Sequence, residues 1–174
     1  MSFELDEKTK NLLSKLDALA IAYKNYFHEP AYTVDGSRHL HDKIPGGHSK
    51  SLFLKTKKNN NYFLVVMHCD DKVNLKKLSQ EIGKGSLSFA SPESLKDILD
   101  LEPGSVTPFG VINDHERQVT VVLDRKLLKY EFVNFHPLRN DITTTLSSND
   151  LLVFLRALNH EPIISDIPVL PGSL

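Results

Sequence analysis

The chain has 174 residues, 40% hydrophobic and 25% charged, the balance of a soluble globular domain long enough to bury a real core. Its 21 basic and 22 acidic residues leave a formal net charge of −1, which excludes a protein that coats nucleic acid through phosphate contacts alone. The lone cysteine, Cys69, rules out an internal disulfide and fits a reducing compartment.

No apolar run approaches the ~18 residues a membrane span needs, and the acidic start Met1 to Glu7 lacks a signal core. A cytoplasmic protein without membrane contact is expected. Any nucleic-acid contact must be local, drawn from cations such as Arg38, Lys43, Lys50, Lys55, Lys57, Lys58, Lys72, Lys76, Lys77 and Lys84.

Leu12, Leu13, Leu16, Leu19, Ala20 and Tyr23 recur at three and four, predicting a helix from residue 6 to about 22. Tyr23 to Phe27 turns extended, and His28-Glu29-Pro30 ends it. The polar stretch 34 to 43 makes at best a short helix beside the Pro45-Gly46-Gly47 break, a place for a ligand gate or a plain surface loop. Two strands follow, about 50 to 57 and 61 to 68, joined by the polar turn Lys58-Asn59-Asn60-Asn61.

Leu75, Leu78 and Ile82 mark a helix of about 74 to 82, stopped by Gly83 and Gly85. A short strand, Leu87 to Ala90, leads into Ser91-Pro92-Glu93, the cap, first-turn proline and first-turn acid of another helix. The rigid loop Pro103 to Pro108 is expected to feed a strand, Phe109 to Ile112. Further strands are expected at Val119 to Leu123, Tyr130 to Phe135 and Ile142 to Leu146. A last helix, about 149 to 158, is capped by Ser147 or Ser148. The chain then divides into a domain of residues 1 to 160 and a Pro-rich tail, 161 to 174, that wraps or frays.

This order gives an α+β single domain around one mixed sheet. No phosphate-binding glycine fingerprint and no G-x-S-x-G elbow is present. His39, His41 and His48 invite a metal reading, but their spacing lacks the closed ligand set such sites need, so no metal and no cofactor is expected. Asp70 and Asp71 beside Cys69 raise its thiol pKa and disfavour a nucleophile.

Three features remain. Lys50 stands where the Gly46-Gly47 break enters Leu52-Phe53-Leu54, as a solvated edge residue or as a fixed cation for a developing negative charge. Gly104 to Pro108 is a tight turn or a main-chain cradle. His136 and Asn140, at a strand end, satisfy a turn or bond a substrate.

The segments GGHSKSLFLK (46–55), LSFASPESL (87–95), LEPGSVTPFGVIND (101–114), VVLD (121–124) and FHPLRNDITTTLSSNDLLVFL (135–155) together resemble the YbaK/prolyl-tRNA-synthetase-associated editing domains. The nearest branch is the free-standing Ala-tRNA(Pro) deacylases, the ProX or PrdX proteins. The matches run in family order across residues 20 to 160. The resemblance implies that family's fold, a mostly antiparallel, barrel-like sheet flanked by helices. It also implies an enzyme that hydrolyses the ester of mischarged tRNA(Pro), with the acceptor end of tRNA(Pro) and prolyl-tRNA synthetase as partners and no DNA.

By the same resemblance Lys50, Gly104 and His136 are the catalytic positions, while Ser51, Ser91, Ser105, Val106, Thr107, Pro108 and Asn140 bind substrate. Ser51 departs from the asparagine that relatives commonly carry. Alternatives are a deacylase for cysteine or serine, a non-catalytic module binding tRNA or a synthetase, and a metal hydrolase.

Overall fold

The computed structural model describes residues 4–58 and 60–172, so Asn59 of the expected turn and the last two residues of the tail lie outside it. Helix α1 (Glu7–Ala18) buries Leu12, Leu13 and Leu16 and is capped by Asp6. It stops short of residue 22 because Ala20 takes a left-handed φ of 56°, turning the chain into β1 (Tyr23–Phe27). The polar stretch forms helix α2 (Val34–His41), whose N-cap Thr33 accepts the Gly36 amide. Then come β2 (Gly47–Thr56), β3 (Tyr62–His68), α3 (Leu75–Ile82), β4 (Leu87–Phe89) and α4 (Pro92–Leu99). Ser91 caps α4 as its sequence predicts.

One expected strand is a correction. Residues Pro108–Asn113 form a 3-10 helix, with Thr107 capping the Phe109 amide and Pro108 pre-set for the first turn. This curl buries the Phe109 ring edge-on to Phe135 and Phe154, at centroid distances of 5.8 and 5.3 Å.

Strand β5 (Val119–Asp124) follows, then a second 3-10 helix, Arg125–Lys129, that takes Tyr130 as its cap. Strand β6 therefore starts at Phe132 and runs to Phe135. Strand β7 (Ile142–Ser147) leads into helix α5 (Ser148–Ala157), and of the two serines it is Ser147 that caps it.

The tail joins the sheet: β8 (Ile163–Ser165) pairs parallel with β5, and Val169 bridges Val73.

The strands run β1-β7-β6-β2-β3-β5-β8, with β4 also on β2. Four pairings are antiparallel and three parallel. Strands β3 and β5 each pair on both sides and are apolar on both faces. Leu64, Val66, Val121 and Leu123 pack under α1, α4 and α5, and Phe63, Val65, Met67 and Val122 pack under α3.

Asp114 fastens the far end of the domain. Its carboxylate accepts the Gln118 and Val119 amides and pairs with His160 at 2.9 Å, the last two contacts out of water. Asp114→Ala strands these donors, so we expect a loss of about 3 kcal/mol in urea unfolding.

Candidate active site

Strand β2 organises the site through an interrupted edge. One edge pairs with β3 along residues 49–55. The other pairs with β6 at Gly47 and His48 and with β4 only from Leu54 to Thr56. Between those contacts no described strand covers residues 49–52, and there a cavity of about 290 Å³ opens. Alternate side chains leave opposite faces of a strand, yet Ser49, Lys50, Ser51 and Leu52 all line it, because the cavity meets the strand's open edge. The tight entry depends on glycine: a Cβ on Gly46 would sit 2.7 Å from the Phe132 carbonyl oxygen, at a φ of +103°.

Lys50 stands on this wall. Its backbone is held opposite Met67 of β3, and no hydrogen bond or ion pair reaches its ammonium among the described residues. Desolvation lowers its pKa from the ordinary 10.5, against the raising influence of Cys69, Asp71 and Asp70. The nearest acids are committed elsewhere. Asp71 pairs with Lys126 at 2.7 Å, and Asp70 lies 3.1 Å from the Arg38 guanidinium. A poorly solvated, unneutralised cation in a cavity is poised for an incoming negative charge.

His136 comes from the end of β6. Its Nδ1–H donates to the Ile142 carbonyl at 3.0 Å, so the neutral ring presents Nε2 as an acceptor. Burial, foremost, lowers its pKa below the ordinary 6.5, and His28 adds to the effect. On the same lining, Asn134 donates to the Pro45 and Gly47 carbonyls at 3.0 and 3.2 Å and accepts the Thr145 hydroxyl. This amide ties the Gly-Gly entry to β6 and β7. Asn134→Ala unmakes all three bonds, and we expect a loss of about 2 kcal/mol in thermal unfolding together with weaker substrate binding.

The Gly104 to Pro108 loop contributes unevenly. Gly104 and Val106 line the cavity, and neither amide finds a partner among the described residues. The Ser105 amide is spent on the Glu102 carbonyl, while Thr107 and Pro108 are buried beneath as the start of the 3-10 helix. Asn140 is near rather than on the wall; its amide lies 3.8 Å from where a Gly104 Cβ would be, and its carbonyl accepts the Ala31 amide.

The structure therefore brings together Lys50, Ser51, Gly104, Val106 and His136 from three separate segments. It does not bring Ser91, whose hydroxyl is occupied at the start of α4. Ser105, Thr107 and Pro108 support the loop from behind.

Sequence reading missed Tyr32, Thr33, Ser49, Asn134 and Thr143 on the lining. Only the T-V-D-G helix-cap pattern after Tyr32 hinted that this segment is fixed.

Two of the three histidines weighed as a metal set, His41 and His48, stack at 4.1 Å beside the cavity, and His39 is exposed on α2. Among the described residues the donors that do cluster are His68, Cys69 and Asp70, within 4.8 Å of one another. Burial and the Asp70 charge push the Cys69 thiol up to about 11, which disfavours it as a nucleophile.

Comparison with known proteins shows the family of the chain. Residues 28–154 match the aminoacyl-tRNA editing domain family. The prolyl-tRNA editing protein ProX of Acetoanaerobium sticklandii is 38% identical over 154 residues, covering 88% of this chain and 93% of that protein. The prolyl-tRNA synthetase associated domain-containing protein 1 of Mus musculus is 37% identical over 162 residues, covering 91% and 95%. The crystal structure of a proposed trans-editing enzyme for prolyl-tRNA synthetase superposes with a TM-score of 0.73 at 18% identity, covering 95% of this chain and 99% of that one. The chain belongs to the aminoacyl-tRNA editing domain family.

Proposed function

We propose that this protein is a trans-editing hydrolase that deacylates mischarged tRNA(Pro), with alanine as the amino acid removed. The observation that carries the reading is that Lys50 lines the same cavity as Gly104 and Val106, with no partner for its ammonium or for their amides among the described residues. The names of its relatives, a prolyl-tRNA editing protein among them, point to the same substrate.

The need is physical. A synthetase pocket shaped for proline cannot strongly exclude smaller alanine, because the lost apolar contact is worth only ~1–3 kcal/mol, and a second pocket that admits alanine completes the selection. The reaction belongs in the cytoplasm, beside prolyl-tRNA synthetase.

In this reading the aminoacyl ester enters at the open edge of β2. Lys50 donates to the ester oxygen or the terminal phosphate and stabilises the oxyanion that forms when water adds to the carbonyl carbon. The Gly104 and Val106 amides hold the aminoacyl group. His136 accepts a hydrogen bond from the attacking water at Nε2, and the neighbouring ribose hydroxyl helps to place it. Collapse of the tetrahedral intermediate breaks the ester bond; the water proton passes to the departing ribose oxygen, releasing alanine and free tRNA. No side-chain nucleophile is needed. A net charge of −1 is compatible with an RNA substrate because the acceptor end is single-stranded and is held by stacking and hydrogen bonds.

The deciding experiment is a panel of tRNA(Pro) charged with alanine, cysteine, serine or proline. Release of alanine with proline left intact is the expected result. Preferred release of cysteine or serine would reassign the substrate. Tight binding without turnover of any ester would make this a tRNA-binding module, for which Ser51 in place of the common asparagine would be the first suspect.

A further inference from the structure

Tyr32 is the most exposed large apolar side chain among the described residues, at 71%, and it lies on the lining of the cavity. Its exposure is not slack. On one side the Ala31 amide donates to the Asn140 carbonyl at 3.0 Å; on the other Thr33 caps α2 through the Gly36 amide at 2.9 Å. Between these anchors the ring lies against Gly104. A Cβ at residue 104 would stand 3.2 Å from the ring Cδ1 and 3.6 Å from the Tyr32 Cα, at a φ of +89° that disfavours any side chain. The glycine thus lines the cavity and leaves room for the Tyr32 ring, which a side chain at residue 104 would crowd.

We propose that Tyr32, seated on Gly104, is the stacking platform for the terminal adenine base of the tRNA. The proposal rests on the deacylase reading and adds the subsite that reading lacks. An aminoacyl ester hangs on the terminal ribose, so the base lies one sugar away from the reacting carbonyl, at the rim of whatever cavity holds the acyl group. Tyr32 is the aromatic ring at that rim, fixed in backbone and open to solvent. Stacking on a ring needs no particular base pattern, and every tRNA ends in the same adenosine. Tyr32 therefore strengthens binding of all aminoacyl-tRNAs alike, and the identity of tRNA(Pro) is read elsewhere.

The test uses the full chain and tRNA(Pro) carrying alanine in a non-hydrolysable amide, with 2-aminopurine as the terminal base. Binding to the unmodified protein should quench the fluorescence. Tyr32→Phe should keep both quenching and affinity. Tyr32→Ala should lose the quenching and bind roughly tenfold to a hundredfold more weakly. In turnover of Ala-tRNA(Pro), the same variant should raise KM by a similar factor with kcat little changed. Against a probe whose terminal nucleotide lacks its base, the unmodified protein and Tyr32→Ala should bind alike. The proposal is overturned if Tyr32→Ala binds and quenches the fluorescent probe normally, or if it weakens the base-containing and baseless probes equally. Failure of the unmodified protein to release alanine would count against the deacylase reading alone, since probe binding judges the stacking seat separately.

Discussion

Lys50→Ala is expected to lower kcat for release of alanine from Ala-tRNA(Pro) by ~10²–10³-fold, the usual cost of removing one preorganised oxyanion donor. The fold should not suffer. No hydrogen bond or ion pair holds the ammonium among the described residues, so its removal leaves no partner stranded.

The direction of the pKa shift sharpens this. Burial lowers the Lys50 pKa in the folded protein, so the unfolded chain binds that proton more tightly. The charged lysine is then a net cost to folding at every pH below the lowered value. The cost disappears only as the pH rises toward the unfolded value near 10.5. At neutral pH the variant should therefore melt at or above the temperature of the unmodified protein. Lys50→Arg should not rescue turnover, since a planar guanidinium does not reproduce a compact ammonium on the same wall. Normal turnover in Lys50→Ala, or a large loss of melting temperature, would remove the role given to this residue.

His136→Gln should lose ~10²-fold or more in kcat, and its pH profile should change shape. The ring is buried with Nδ1 bonded to the Ile142 carbonyl and its pKa lowered below 6.5, so it stays neutral at physiological pH. Activity of the unmodified protein should hold level from neutral pH down past 6.5 and fall only on the acid side, as Nε2 takes up a proton. In His136→Gln that acid limb should be absent. Stability moves the same way: folding favours the neutral ring, so stability is lost as the pH falls from 6.5 through the lowered pKa. His41 and His48 are also shifted down by burial and titrate in the same sense, so acid melting alone does not isolate His136. The kinetic limb does. A midpoint at or above 6.5, or a limb that survives in the variant, would exclude His136 from the reaction.

Much of the fold is legible locally. The cap at Ser91, and a serine cap at the start of α5, lie where side-chain oxygens meet the first free amides of a helix. The apolar run Phe63 to Met67 reads as a strand because it is buried on both faces. The segment 108–113 was not legible. Phe-Gly-Val-Ile has the composition of a strand, and only the place prepared for Phe109 between Phe135 and Phe154 makes a helical curl the better burial. Ser91 shows the converse limit. Its sequence context predicts a helix cap, and the structure uses it for that and keeps it off the cavity wall.

What the sequence by itself determined is most of the local elements and the order of the motifs, and through their resemblance to a family it pointed to the lysine, the glycine loop and the histidine as candidates. These follow from short-range rules of capping, periodicity and turn chemistry that act within a few residues. What only the tertiary structure decided is that, among the described residues, no strand covers the second edge of β2 from 49 to 52 and no partner pairs with the Lys50 ammonium, and that Tyr32 rests on Gly104. Each depends on segments far apart in the chain, and on where neighbouring strands stop pairing, which no local pattern encodes.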